Sequence, residues 1–182
     1  MITRVEALKL VREHVSNGNL IKHMIGVGAI MRGLAEHLNM DPDLWELVGI
    51  LHDIDYEETS KDFKLHGLKS AEIVGELLPD EALHAIKAHN SLTSFKAESE
   101  MDISLYAADA VSGLIVANAL VRPSGLKGMK PRSLIRRMKD KSFARQINRE
   151  NIQRSQELGL ELGEFLKISI DALEKVRNEL DL

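Results

Sequence analysis

From Ile103 to Val121 the chain is apolar almost without a break, yet Asp109 lies close to the middle of the segment and Asn118 follows near its end. The run is nearly long enough to span a bilayer, but a central Asp costs roughly 3 kcal/mol on insertion and the flanks carry no convincing membrane anchors. The segment therefore predicts a buried helix of a soluble protein. Ala107, Ala108, Ala110, Ser112 and Gly113 let neighbouring helices approach closely, which turns Asp109 toward a crowded interior. A carboxylate there needs a partner.

Composition supports a helical setting for that segment. With 44% hydrophobic, 29% charged and 4% aromatic residues, the 182-residue chain is rich in helix formers and lacks the Val/Ile/Thr/Tyr alternation of strands. The expected fold class is all-α, with residues 1–182 as a single domain: a core over about 20–121 and a basic helical C-terminal extension over about 122–182. There are no internal repeats. The absence of cysteine excludes disulfides, thiolate metal ligands and a Cys nucleophile. Met1-Ile2-Thr3-Arg4-Val5-Glu6 lacks the basic start and apolar stretch of a signal peptide, so the expected location is cytoplasmic.

Capping and periodicity divide the chain into helices. Thr3 caps a first one to about Val15, and Ser16-Asn17-Gly18-Asn19 separates it from a second over Leu20 to Leu38, whose core stripe is Leu20, Met24, Val27, Met31, Leu34 and Leu38. Asp41-Pro42 starts a third ending around Ile54, with His52 and Asp53 in its last turn. Further helices are expected from Leu65 to Leu78, from Pro79-Asp80 to His89, and from Leu162 to Leu180.

Polar residues on the apolar faces of these helices are the candidate site. His52 and Asp53 lie where Leu47, Val48, Ile50 and Leu51 meet Asp55-Tyr56-Glu57-Glu58. Imidazole and carboxylate suit a hydrolytic cation, and neither is cheaply buried alone. His23 flanks the stripe of the second helix, His66 shares a face with Ile73 and Leu77, and His89 with Ala82, Ala85 and Ile86. A lone inward histidine is usually a hydrogen-bonded core residue. Three of them, a His-Asp pair and a buried Asp109 are hard to satisfy by core hydrogen bonding, and together they point to a metal. His14, His37 and His84 fall among polar neighbours, and Asp55 reads either as a helix end or as an acid or base just beyond the metal pair.

Charge is uneven. Between Arg122 and Arg154 eleven Lys or Arg stand against Asp140 and Glu150, a local +9 in a chain of net −4 that leaves −13 elsewhere. A solvated connector is the plain reading. The functional one is a phosphate-binding rim, with Arg122, Lys127, Lys141, Arg145 and Arg149 as candidates. Nucleic acid is disfavoured, because Phe143 is the only aromatic residue in the stretch and the chain as a whole is acidic.

The order His23, His52-Asp53, His66, His89, Asp109 resembles the HD-domain superfamily of metal-dependent phosphohydrolases, and Leu51-His52-Asp53-Ile54-Asp55 resembles the HDIG form of its motif. The resemblance covers about Leu20 to Val121. Ala107-Ala108-Asp109-Ala110 and Lys139-Asp140-Lys141-Ser142-Phe143-Ala144-Arg145 are similar to a group of small bacterial and archaeal HD proteins. It implies an all-α fold with His23, His52, Asp53 and Asp109 on a first divalent ion, and His66, His89 and a bridging Asp53 on a second. The ions the resemblance implies are Mn, Mg, Co, Ni, Zn or Fe. Hydrolysis of a nucleotide or other small phosphomonoester through a metal-activated hydroxide is the activity implied, with Asp53 and Asp55 as catalytic candidates and Arg122, Lys141, Arg145 and Arg149 orienting the anionic substrate. Asp55 stands where the motif has Gly, and no GYP-type signature appears, so cyclic-dinucleotide hydrolysis is not implied. Two alternatives share these residues: a di-iron oxygenase of the myo-inositol oxygenase type, and a metal-containing ligand-binding or regulatory module. A homo-oligomer is compatible with either.

Overall fold

The computed structural model describes residues 2–182, and among them there are helices and no strands. Helix α1 is Arg4–His14, α2 Gly18–Leu38, α3 Pro42–Leu51, α4 Tyr56–Thr59, α5 Leu68–Val74 and α6 Asp80–Ala88. The second half holds α7 Glu100–Leu120, α8 Pro131–Lys139, α9 Arg149–Gln153, α10 Leu162–Lys175 and α11 Arg177–Leu180, with short 3-10 turns at Gly75–Leu77 and Arg154–Leu158. The starts follow local chemistry. Thr3 and Glu6 form a capping box on α1, and Ser99 and Asp102 form one on α7. Asn17 and Asp41 each accept two backbone N–H groups at the starts of α2 and α3.

The two longest helices, α2 and α7, pack against each other, and the remaining elements wrap them. Helix α3 and helix α10 both pack on α2, α6 and α9 cover α7, and α1 lies on α3. One hydrophobic core runs through all of this, from Ala7 and Val11 of α1 to Phe165, Leu166 and Leu173 of α10. Helix α7 is long and apolar enough to cross a membrane, but two thirds of its most apolar stretch is buried inside the fold. It is the core helix its sequence predicts.

Helices α2 and α3 approach each other closely. A Cβ on Gly49 would lie 2.6 Å from Gly28 Cα and 2.7 Å from its nitrogen, so the two backbones touch where a side chain would otherwise hold them apart. Helix axes normally stand 8–10 Å apart, a distance set by the side chains at the contact. Bare backbone at this crossing brings His23, on α2, within 5.6 Å of the His52 ring beyond the end of α3.

Two helix ends differ from expectation. Helix α3 stops at Leu51, so His52 caps it and Asp53 lies in the turn that follows. The helix expected over 65–78 is confined to Leu68–Val74, because Gly67 (φ 84°) and Gly75 (φ 50°) adopt left-handed conformations at its two ends. His66 therefore projects from the turn before α5. At both places a helix terminus carries the polar side chain and no mid-helix residue has to reach sideways.

Candidate metal centre

Asp53 Oδ1 is the focus of the site. It lies 3.2 Å from His52 Nε2, 3.3 Å from His66 Nε2 and 3.4 Å from His89 Nε2. Its other oxygen is 3.8 Å from His23 Nε2, which itself is 3.0 Å from Asp109 Oδ1. All six candidate metal residues are thus brought together. Two overlapping groups have the spacing of a cation site, His23, His52 and Asp109 on one side, and His52, Asp53 and His89 on the other.

The hydrogen bonds of the three inner histidines decide which nitrogen faces inward. His52 Nδ1 is 2.8 Å from Gly49 O, His89 Nδ1 is 2.6 Å from Ile86 O, and His66 Nδ1 is 2.7 Å from Asp55 Oδ1. Each partner can only accept, so each Nδ1 carries a proton and donates it. In the neutral rings Nε2 then presents a bare lone pair. Three lone pairs and a carboxylate oxygen converging within hydrogen-bond distance repel one another unless a positive charge sits among them. His52 Nε2 is fully buried with no hydrogen-bond partner, the kind of orphan a native fold leaves only for a reason. The donor set suits a divalent ion taking imidazole and carboxylate ligands.

Protonation follows the same logic. Burial pushes His52 down to about 4, which keeps it a neutral donor of its lone pair. Burial also opposes a charge on His66, but hydrogen bonds to Asp53 and Asp55 outweigh it and push that imidazole up to about 9. Burial raises the Asp53 carboxyl, yet His52, His66 and His89 around it hold it well below the usual carboxylate range. At the other end, burial would lower His23 and raise Asp109, and their mutual hydrogen bond shifts each the opposite way. His66 Nε2 lies 3.3 Å from Asp53 Oδ1 and 3.0 Å from His89 Nε2, and a proton on it does for the carboxylate what a cation would do.

Asp109 departs from expectation in its surroundings. Its side chain keeps 38% of its surface open, and it faces a cavity of about 710 Å³ in place of a crowded interior. Asp55 is fully buried and does not line the cavity. One oxygen accepts from His66, the other from the backbone N–H groups of Gly67 (2.8 Å) and Ser70 (2.9 Å). With both oxygens engaged behind His66, it stands just beyond the metal pair, one of the two positions expected for it, and holds the His66 ring.

The basic stretch lies apart from the cavity. No Lys or Arg among the described residues lines the cavity. Arg122 donates to Gly125 O and Lys127 O, and Arg149 to the carbonyls of Phe143, Ala144 and Ile147, so both guanidiniums close their own loops. Lys127, Lys141 and Arg145 are exposed outside the cavity wall. A charge count carries no direction, and here the arginines satisfy backbone carbonyls that no helix accounts for.

Beyond the metal candidates, much of the wall is made of residues the sequence did not single out. Tyr106 precedes Asp109 by one turn of α7, a spacing that puts both on one face and was a usable signal. Asn151 comes from α9, and nothing in its sequence context marks it. Glu57 Oε1 accepts from the backbone N–H groups of Ser16 (3.0 Å) and Asn17 (2.7 Å), which ties the α1–α2 loop to the cavity mouth. Asn90 donates to Phe63 O and His66 O and fixes the turn that presents His66. Gly67 has no room for a side chain: a Cβ there would stand 2.7 Å from Ile86 O and 3.2 Å from the His89 ring.

The model of the HD domain matches residues 20–114, and the chain belongs to that family. The match begins at the start of α2 and ends within α7, so it encloses all six converging residues. Among curated proteins and solved structures, none matches the chain. The family and the buried His/Asp cluster together suggest the superfamily of metal-dependent phosphohydrolases.

Proposed function

We propose that this protein hydrolyses a small phosphorylated substrate, a nucleotide or another phosphomonoester, with His23, His52, Asp53 and Asp109 holding one divalent ion and His66, His89 and a bridging Asp53 a second. The convergence of three Nε2 atoms within 3.4 Å of Asp53 Oδ1 carries this reading. Divalent ions in such a site lower the pKa of water toward neutrality and offset the charge of a transferring phosphoryl group. No side-chain nucleophile is then required, in keeping with a chain that has no cysteine. Asp53 and the histidines supply the fixed donor geometry, while His23 and Asp109 face the open side of the cavity where a substrate would enter.

The test is phosphate release by metal-stripped protein reloaded in turn with Mn²⁺, Mg²⁺, Co²⁺, Ni²⁺, Zn²⁺ or Fe²⁺, assayed against a panel of phosphorylated metabolites under anaerobic conditions. Hydrolysis with a redox-inert ion is the expected result, with about two ions per fully loaded chain and about one after His66 and His89 are both replaced by Ala. Activity only with iron and dioxygen would replace this reading with that of an oxygenase.

A further inference from the structure

We infer that the cavity selects substrates carrying one phosphate on an uncharged, hydrogen-bonding body of the nucleoside monophosphate kind, and discriminates against di- and triphosphates. The inference rests on the phosphohydrolase reading above and asks which phosphorylated compound fits.

The charge of the wall argues it. A polyphosphate chain needs cations spaced along its length, and sites that take one supply lysine, arginine or a helix N-terminus for each phosphate. Here formal positive charge is confined to the centre around Asp53; the α2 N-terminus reaches the wall at Asn17 and Leu20, but the Asn17 side chain already accepts the Asn19 and Leu20 N–H groups. Beyond the centre the wall presents Glu57, and among the described residues no lysine or arginine. Lys61 and Lys64 flank Phe63 but lie outside the wall, and Arg154, which stacks on Tyr106 at 4.9 Å, is outside the wall too and is paired with Glu157 at 2.8 Å. A terminal phosphate seated at the centre would project further phosphates toward a surface that repels them. A neutral body meets no such cost.

The uncharged groups of the wall fit such a body. The side chains of Asn151, Ser91 and Tyr106 face the cavity and make no hydrogen bond within the described residues. They offer a neutral amide and two hydroxyls. Tyr56 and Phe63 pack edge-on to each other at 5.5 Å, each 39% exposed at the cavity, and give an apolar ledge on which a ring can lie. Asn151 comes from α9, beyond the HD match, so the part of the wall that reads the body is built partly by the C-terminal segment.

The experiment uses the full-length, metal-loaded protein. Calorimetry would compare a phosphonate analogue of a nucleoside monophosphate with the methylene-bridged analogue of the corresponding triphosphate, and steady-state assays would compare the hydrolysable parents. The monophosphate should exceed the triphosphate by about tenfold or more in affinity and in kcat/KM, the range that a mismatched charge in a site commands. Ser91→Lys, which adds a cation to the wall, should narrow that gap by raising triphosphate binding. Equal or tighter binding of the triphosphate analogue overturns the inference. Selective binding of the monophosphate analogue without phosphate release from any parent overturns the hydrolase reading and leaves the selectivity standing, whereas binding of neither analogue overturns both.

Discussion

Asp55 acts on the centre through His66. Its carboxylate receives three donors, and an amide in its place would have to turn its NH₂ toward either the His66 Nδ1–H or the Gly67 and Ser70 N–H groups. Asp55→Asn should therefore leave the fold intact and lower the affinity for one of the two ions by about 10–100-fold, the usual effect of losing a partner behind a metal-bound histidine. Calorimetric titration of metal into the stripped variant checks this, and two unchanged affinities would refute it. His66 also gives the stripped protein a pH dependence. Its pKa rises from 6.5 in the unfolded chain to about 9 in the fold, so the stability it contributes is complete below about pH 6.5 and fades as the pH climbs through 9. Urea denaturation in chelator at pH 6.5 and pH 9 should show that loss, and His66→Gln should flatten it. These residues were partly legible: an imidazole on an apolar face has few uses, so His23, His66 and His89 stood out. Asp55 was placed just beyond the metal pair as one of two readings, but its partners could not be read, because they come from a turn whose geometry depends on the φ of Gly67.

At the scale of the element, the α2–α3 crossing positions half of the centre. Gly49→Ala would force a methyl group to within 2.6 Å of Gly28 Cα, and the listing of one helix away from the other would separate His23 from His52. Overpacking of this kind costs typically 1–3 kcal/mol, and more against rigid backbone. Both the melting temperature and the metal content of the variant should fall together. Gly163→Ala is the control: nothing lies within 4 Å of that position, so it should be neutral or slightly stabilising. A Gly49→Ala protein with full metal content would show that the crossing does not set the site. Most helices could be read from caps and apolar spacing, including the starts of α1, α2 and α3. Gly49 could not, since one glycine in a helix looks like any other until the partner backbone is known. The tail of α7 and the loops after it were harder again, because Arg122 and Arg149 bind carbonyls of their own loops and leave no periodic trace.

Over the whole molecule, the segment outside the HD match is part of the same core. Phe165, Leu166 and Leu173 of α10 are completely buried, and each such side chain is worth about 1.5–3 kcal/mol of transfer free energy. Losing several of them, with the partners they cover on α2 and α7, exceeds what a domain of marginal stability can spare. A chain ending at Val121 should accordingly lack a cooperative thermal transition by circular dichroism, while the full chain melts in a single step. A sharp melt of the shortened chain would assign the C-terminal helices to a separate unit. The single-domain expectation came from length alone, and which face of α2 the last long helix would cover could not be read from its amphipathic stripe.

His52 and His89 have one habit in common: each stands just past the end of its helix and gives its Nδ1 proton to the carbonyl three residues earlier, Gly49 O and Ile86 O. Those carbonyls belong to the last turn, where the helix has no further amide to offer them. The aim of each ring is thus written within four consecutive residues and owes little to distant parts of the chain. A helix finished in this way is a portable component, and a designer could graft Pro42–Asp53 or Asp80–His89 onto another helical scaffold with the imidazole already pointed.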